Sequence, residues 1–269
     1  MNQTNNESKA QIVYLSHGGG PLPILGDPGH QAMIDFMRDL ATRLRRPKAI
    51  LVVCAHWEEN VATLMGAAHP PMLYDYYGFP DEAYRITYPA PGSPDEAHRI
   101  SELLKQNNIS ARIDPERGFD HGVFIPLKLM YPRADIPTLQ LSILRGLSPA
   151  AHLTLGKALR ELARQDILIL GSGASFHNLR AAFQQRSASD SANDAFQDWL
   201  IETCAGDLSP SEREQRLLDW EHAPNARYCH PREDHLLPLH VCYGIADKSA
   251  QVIFNDQIFG KRNVAFLWE

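Results

Sequence analysis

The chain has 269 residues, of which 44% are hydrophobic and 22% are charged, and its formal net charge is −6. These proportions are typical of a globular protein and exclude a disordered or fibrous one. The negative charge, with no basic cluster beyond residues 43–46, argues against nucleic acid as a partner.

The composition also predicts where the protein works. No apolar run is long enough to span a bilayer, and the polar residues 1–8 do not resemble a signal peptide. The four cysteines are scattered and include no Cys-x-x-Cys pair, which is typical of a reducing compartment. We therefore predict a cytoplasmic protein without a membrane partner, either a monomer or a small homo-oligomer.

Strand and helix signals alternate along the chain. Apolar runs predict strands at 12–15, 49–55, 61–65, 137–143, 167–171, 250–254 and 263–268. Amphipathic spacing, with proline at several starts, predicts helices at 31–44, 94–106, 149–165, 194–204, 209–220 and 231–246. This alternation predicts an α/β fold, with a central, mainly parallel or mixed sheet flanked by helices. We expect residues 1–10 to be disordered and residues 11–269 to form one domain.

Three histidines stand close to the carboxyl ends of predicted strands. His17 follows the first strand, His56 follows the second, and His177 comes shortly after the strand at 167–171. In an open α/β sheet these strand ends converge on one crevice, where ligands bind. Imidazoles brought there from several strands predict a metal site.

The glycines beside these histidines fit neither of two familiar motifs. Three glycines follow His17, but Pro21 and Pro23 interrupt the segment, which argues against a phosphate-binding loop. Ser172 has glycine directly on both sides, whereas a nucleophile elbow places glycine two residues away on either side. A serine hydrolase is therefore a poor interpretation.

Two further histidines are candidates. Glu233 and Asp234 are explained by the first turn of the predicted helix, where the helix dipole favours acids, but His235 is not explained in this way. His121, between Asp120 and Gly122, fits an ordinary turn as well as a functional one. The remaining histidines outside these motifs include His30, His69, His98 and His152, which we predict to be surface or capping residues.

A long loop is predicted at residues 67–94. It is rich in proline, tyrosine and glycine. Loops of this length in a compact domain are usually functional or disordered, and the aromatic content favours a functional one.

Six motifs occur in order along the chain. They are SHGGGP at 16–21, AHW at 55–57, YDYYGFP at 74–80, DHG at 120–122, GSGASFHNL at 171–179 and HPREDHLLPL at 230–239. Together they resemble the class III extradiol ring-cleaving dioxygenases (the LigB superfamily), in the branch of the DOPA 4,5-dioxygenases. The resemblance covers nearly the whole chain.

This resemblance implies a role for each motif. His17, His56 and His235 would bind one divalent metal, and His177 would be the catalytic acid/base or a fourth ligand. His121 would contact the substrate or dioxygen. The aromatic loop would supply substrate-binding walls through Tyr74, Tyr76 and Phe79.

The implied reaction is ring opening of a catechol such as L-DOPA by O2, with 4,5-cleavage. Better-known class III enzymes use two histidines and a glutamate, the ligand set typical of non-haem iron(II). Here the third ligand would be a histidine, and three imidazoles also suit zinc. Iron(II) is expected for activity, with zinc open as the bound or native ion. The alternative is a zinc hydrolase, for which Glu58, Glu233 or Asp234 would have to act as the base.

Overall fold

The computed structural model describes residues 9–184 and 190–269. In this part of the chain eight strands form one sheet: β1 (Gln11–Ser16), β2 (Ala49–Glu59), β3 (Ala62–Met65), β4 (Ala111–Asp114), β5 (Thr138–Leu144), β6 (Ile167–Gly173), β7 (Gln251–Ile258) and β8 (Lys261–Trp268). Their order is β4-β3-β5-β2-β6-β1-β8-β7. The four central strands are parallel, whereas β3 pairs antiparallel with β5 and β8 antiparallel with β1. The predicted mixed α/β sheet is confirmed.

Nine α-helices accompany the sheet within the described ranges. They are α1 (Gln31–Arg43), α2 (Pro94–Gln106), α3 (His121–Met130), α4 (Pro149–Ala158), α5 (Leu179–Gln184), α6 (Ser191–Ala205), α7 (Pro210–Leu218), α8 (Ala226–Cys229) and α9 (Leu237–Ala246). Every residue of β1 and β6 is buried. Because successive side chains of a strand point to opposite faces, the sheet is covered on both sides at its centre. No helix in the described ranges is long and apolar enough to cross a membrane.

Several predicted boundaries were wrong. The helix predicted at 231–246 begins only at Leu237, where Pro238 occupies the first turn, and turns precede it. The helix predicted at 149–165 ends at Ala158 and is followed by a 3-10 helix, Arg160–Arg164. Of residues 1–10, which we predict to be disordered, residues 1–8 lie outside the described residues and Ala10 is buried.

Four elements had no counterpart in the prediction: β4, α3 and the short helices α5 and α8. β4 has four residues, none of them buried, so it lacks the alternation that marks a strand. α3 begins in the segment interpreted as a turn and contains Pro126, which usually argues against a helix. Pro126 is the sixth residue of α3, and the carbonyl of Gly122, which its missing N–H leaves free, accepts a hydrogen bond from the Ser172 hydroxyl instead.

Candidate metal centre and pocket

The carboxyl ends of the central strands bring the predicted histidines together. Ser16, the last residue of β1, pairs with Gly173, the last residue of β6. His17 follows directly, and His177 lies four residues beyond β6. Both therefore stand at the same edge of the sheet, as the sequence predicts.

His56 reaches this edge through an irregularity in its strand. It lies inside β2 rather than after it, because β2 continues to Glu59. The pairing of β2 with β5 shifts register between Cys54 and Glu58. A bulge of this kind re-aims side chains, and such irregularities are common beside active sites.

His235 is held against the end of β6 by its backbone. Its carbonyl oxygen accepts hydrogen bonds from the Tyr14 hydroxyl and the Ala174 amide, each 3.0 Å long. A Cβ atom at Gly173 would lie 2.1 Å from the same oxygen. Only glycine lets β6 approach the His235 segment this closely.

Five imidazole rings surround one space. The ring centroids of His56 and His121 are 4.0 Å apart, and those of His17 lie 4.8 Å from His56 and 5.2 Å from His235. His177 stacks on His235, with centroids 3.3 Å apart and planes at 12°. The structure thus places all the histidines that the resemblance implies in one cluster.

The three predicted ligands share an orientation. Nδ1 of His17 is hydrogen-bonded to Gly18 O at 3.0 Å. Asp75 Oδ2 lies 3.3 Å from Nδ1 of His56 and Asp234 Oδ2 lies 3.2 Å from Nδ1 of His235, both as close charge contacts without hydrogen-bond geometry. An acceptor at Nδ1 favours the tautomer whose Nε2 carries a lone pair. This is the arrangement in which a metal-binding histidine is oriented from behind.

The Nε2 atoms are placed to share a cation. Those of His56 and His235 lie 3.2 Å apart, a distance at which one ring donates to the other or both bind the same ion. The buried Nε2 of His17 has no hydrogen-bond partner among the described residues. Two nitrogens bound to one ion at about 2.1 Å and roughly tetrahedral or right angles would be about 3.0–3.4 Å apart. Ligand atoms of His17, His56 and His121 lie within 4.8 Å of one another, and so do those of His177, Asp234 and His235, so the cluster offers donors for a divalent metal.

Burial keeps these imidazoles neutral. It lowers the pKa of His17 and of His235 well below the usual range, and the neighbouring histidines lower both further. Burial also lowers the pKa of His56 to about 4 and that of His177 to about 3. At neutral pH all four rings have a free lone pair, which a metal ligand or a base requires.

Asp75 is a carboxylate that the sequence analysis did not single out. Its Oδ1 accepts hydrogen bonds from the backbone N–H of His121 (3.0 Å) and from Nδ1 of the same ring (2.8 Å), while its Oδ2 lies near His56. Burial would raise the pKa of Asp75, but the hydrogen bonds and charge of His121 outweigh it and lower the pKa to about 2. One carboxylate thus orients two of the five rings.

Asp120 anchors the start of α3. It is fully buried and accepts hydrogen bonds from Cys54 Sγ (3.1 Å), Arg117 Nη2 (2.6 Å) and Gln140 Nε2 (2.6 Å). Asp120 precedes His121 directly in the sequence but does not contact the His121 ring through its carboxylate. The structure gives that contact to Asp75, because the side chains of adjacent residues diverge.

A pocket of about 250 Å³ opens beside the histidine cluster. Of the predicted aromatic residues, Tyr76 and Phe79 line it. Tyr74 does not line it, and its hydroxyl donates to the carbonyl of Ile86. The lining also includes Phe176 and Leu179 from the motif at 171–179, and four residues to which the sequence analysis gave no role: Ile258, Phe259, Lys261 and Asn263.

Two histidines predicted to be surface or capping residues are buried. His30 Nε2 accepts the N–H of Gly19, while its Nδ1 lies 2.8 Å from Asp27 Oδ2, so it supports the glycine loop from behind. His152 Nε2 accepts the N–H of Leu144. The prediction for both was wrong because their backbone partners come from other segments.

The sequence profile of a family described as the catalytic LigB subunit of aromatic ring-opening dioxygenase matches residues 11–267. The chain belongs to this family. It is therefore an extradiol dioxygenase, an oxidoreductase of a metal-dependent class, and the predicted family is confirmed.

Individual relatives of this extradiol dioxygenase agree with the assignment. It is 39% identical to a protein named Dioxygenase tasH from Hapsidospora irregularis, over 96% of this chain and 85% of that protein. It is 36% identical to a 4,5-DOPA dioxygenase extradiol from Beta vulgaris, over 91% of each chain. Among solved structures, an uncharacterized protein (JW3007) from Escherichia coli K12 superposes with a TM-score of 0.79 at 28% identity, over 97% of this chain and all of the other.

Proposed function

We propose that this extradiol dioxygenase opens the ring of a catechol such as L-DOPA by 4,5-cleavage with O2, giving a seco-DOPA-type product. His17, His56 and His235 would hold one divalent metal, iron(II) for activity. The observation that carries this proposal is the shared orientation of the three rings, whose Nδ1 atoms lie near oxygen acceptors and whose Nε2 atoms face a common space. The relative from Beta vulgaris, a 4,5-DOPA dioxygenase extradiol, supports the substrate class.

Three neutral protein ligands would leave coordination positions of the ion free for substrate. Iron(II), when bound, would supply the redox chemistry that joins the catechol and O2, whereas zinc lacks it. The protein's own part is to orient the ring and to manage its protons. Tyr76 and Phe79 line the pocket beside the cluster and would form an apolar wall along the catechol ring.

His177 is the proposed acid/base. It lines the pocket, stacks on His235 and is neutral at pH 7, so its lone pair can accept a catechol proton. The negative charge that develops on the catechol would stabilise the imidazolium beside it. The same group can then return the proton as the ring opens. His177 would serve as a fourth ligand only with zinc.

His121 would contact the substrate or O2. Because Asp75 holds its Nδ1, the Nε2 edge of the ring faces the cluster. The ring is therefore fixed before the substrate arrives, which avoids an entropic cost of ordering it during the reaction.

The alternative, a zinc hydrolase, needs a carboxylate base at the open side of the metal. Glu58 pairs with Arg232, Glu233 with Arg227, and Asp234 with Arg232. No aspartate or glutamate is among the described residues that line the pocket. Together with the family assignment, this favours the dioxygenase.

The deciding experiment is anaerobic reconstitution with iron(II), followed by addition of L-DOPA in air. We expect O2 uptake and a yellow ring-opened product, whose structure fixes the cleavage position. The zinc-loaded protein is the matched control and should consume no O2. No uptake with L-DOPA or with simpler catechols would reject the proposal.

Three broader predictions stand beside this one. We propose that residues 11–269 form the single catalytic domain, that the protein is cytoplasmic, and that it is a monomer or a small homo-oligomer. Light scattering of the purified protein would decide the last.

A further inference from the structure

A buried lysine faces the pocket. Lys261 is only 1% exposed and lines the same pocket as His17 and His177. It begins β8, which runs antiparallel to β1 with Tyr14 opposite Phe266, so the start of β8 lies at the edge where β1 ends. Lysine is almost never fully buried unless it is paired.

The partner of Lys261 holds it in place. Its Nζ donates to Asp190 Oδ2, which also accepts from the Tyr228 hydroxyl at 2.6 Å. The other oxygen of Asp190 accepts from the Asn193 N–H and caps α6. Two donors other than Lys261 thus fix the carboxylate of Asp190, which in turn positions the ammonium group.

The ammonium group keeps binding capacity. It has three N–H donors, and Asp190 is the one acceptor that reaches it among the described residues. The Phe176 ring centroid lies 5.7 Å from Nζ, so one side of the cation rests against an aromatic face. The remaining N–H groups can donate to a further acceptor, and Lys261 is a lining residue of the pocket.

The charges around the pocket are asymmetric. Lys261 is the only lysine or arginine among the described lining residues, which include no carboxylate. The side chains of Phe79, Phe176 and Ile258 add apolar wall to the same pocket. A ligand that fills this space would bind the metal at one end and meet a cation at the other.

We propose that Lys261 binds a carboxylate on the side chain of the substrate, so that the enzyme selects catechols with an acidic side chain over neutral ones. Asp190 is its positioning residue. This inference rests on the proposed function, because it takes the metal end of the pocket to hold the catechol.

The first test compares two substrates on the unmodified iron-loaded enzyme. They are 3-(3,4-dihydroxyphenyl)propanoate and its neutral amide, which has the same ring and nearly the same shape. We expect the acid to have a kcat/KM roughly tenfold to a hundredfold higher, mainly through KM, as a charge-assisted hydrogen bond implies. Equal values for acid and amide would overturn the inference without touching the dioxygenase activity.

The second test removes the cation. Lys261→Met should abolish the preference for the acid while retaining turnover of 4-methylcatechol, and Lys261→Arg should restore part of the preference. Lys248→Met, at an exposed lysine whose ammonium lies outside the pocket, is the matched control and should behave as the parent does. If Lys261→Met slowed acid, amide and 4-methylcatechol by the same factor, Lys261 would have only a structural role.

A binding measurement separates this inference from the proposed function. 3-Phenylpropanoate has the carboxylate but no catechol, and calorimetry can follow its binding without turnover. It should bind the parent protein and Lys261→Arg more tightly than Lys261→Met, even if no catechol were consumed. Equal affinity for all three would reject Lys261 as a carboxylate site.

Discussion

The proposed ligands and the proposed base differ in what they contact. His17 and His56 turn Nε2 toward the centre of the cluster, whereas His177 lies against the face of His235. We expect His17→Ala and His56→Ala to lose bound metal. His177→Ala should keep most of the metal but lose turnover by about 10²–10⁴-fold, the usual contribution of a general acid/base.

Metal content and turnover measured on the same samples check this. His222→Ala, in a 3-10 helix outside the pocket lining, is a control that should change neither quantity. An empty metal site in His177→Ala would instead assign His177 to ligation.

Asp75 gives a second test of the cluster. Asp75→Asn keeps the size of the side chain but removes the charge that orients His56 and His121. We expect metal affinity to fall by roughly 10–100-fold, as when other groups that orient metal ligands are changed. Competition with a metal chelator measures this, with the exposed Asp81→Asn as control. An unchanged affinity would show that the rings hold their orientation without the carboxylate.

The end of β6 couples the sheet to the metal centre. In Gly173→Ala the new Cβ would clash with the carbonyl oxygen of His235, so the strand and the histidine segment must separate. We expect a loss of about 1–3 kcal/mol in the free energy of unfolding, as for other overpacked sites, together with weaker metal binding.

The control is Gly146→Ala. Gly146 has a φ of +90° with open space around it, so alanine there is strained but touches nothing. It should lose stability and keep its metal affinity. Equal metal affinity in the two variants would show that Gly173 matters only for folding.

The elements that the sequence predicts well are those whose pattern is visible in a short stretch of residues. The strands β1 and β6 are continuous apolar runs, and the histidines that follow them reach a common edge by topology alone. α3 was missed because its helical segment carries Pro126 after an apparent turn, and its stability comes from buried packing.

Two of the groups around the pocket depend on distant partners. Lys261 can be buried only because Asp190, 71 residues away, accepts a hydrogen bond from its ammonium group. Asp75 lies in a long loop where nothing in the local pattern shows that it will meet His121, 46 residues further on. No spacing rule in a single sequence contains such contacts.

The stability of the whole fold depends on pH, because buried histidines must stay neutral. His152 lies outside the pocket, and burial lowers its pKa to about 4. Protonation would also remove the hydrogen bond that Nε2 accepts from the Leu144 N–H. The unfolded chain binds a proton near pH 6.5, so this contribution to stability is complete above that pH and declines between about 6.5 and 4. The maximum loss is about 3 kcal/mol.

Urea unfolding at several pH values from 8 to 5 measures how the free energy of unfolding changes with pH. We expect the free energy of unfolding of the parent to fall as the pH falls, and that of His152→Gln to fall less steeply. His69→Gln, at an exposed histidine, is the control and should keep the slope of the parent. The same slope in His152→Gln would place the acid sensitivity in other groups.

The thiol of Cys54 has a consequence for an enzyme that handles oxygen. Burial and the nearby Asp120 raise its pKa well above the usual range, and all four cysteines of the chain are buried. Oxidants attack the thiolate, so these sulfurs should survive conditions that inactivate the enzyme. We expect dilute hydrogen peroxide to abolish turnover while four thiols remain titratable after denaturation. Inactivation would then begin at the metal and be reversible by fresh iron(II), which permits repeated use of the same polypeptide under oxidative stress.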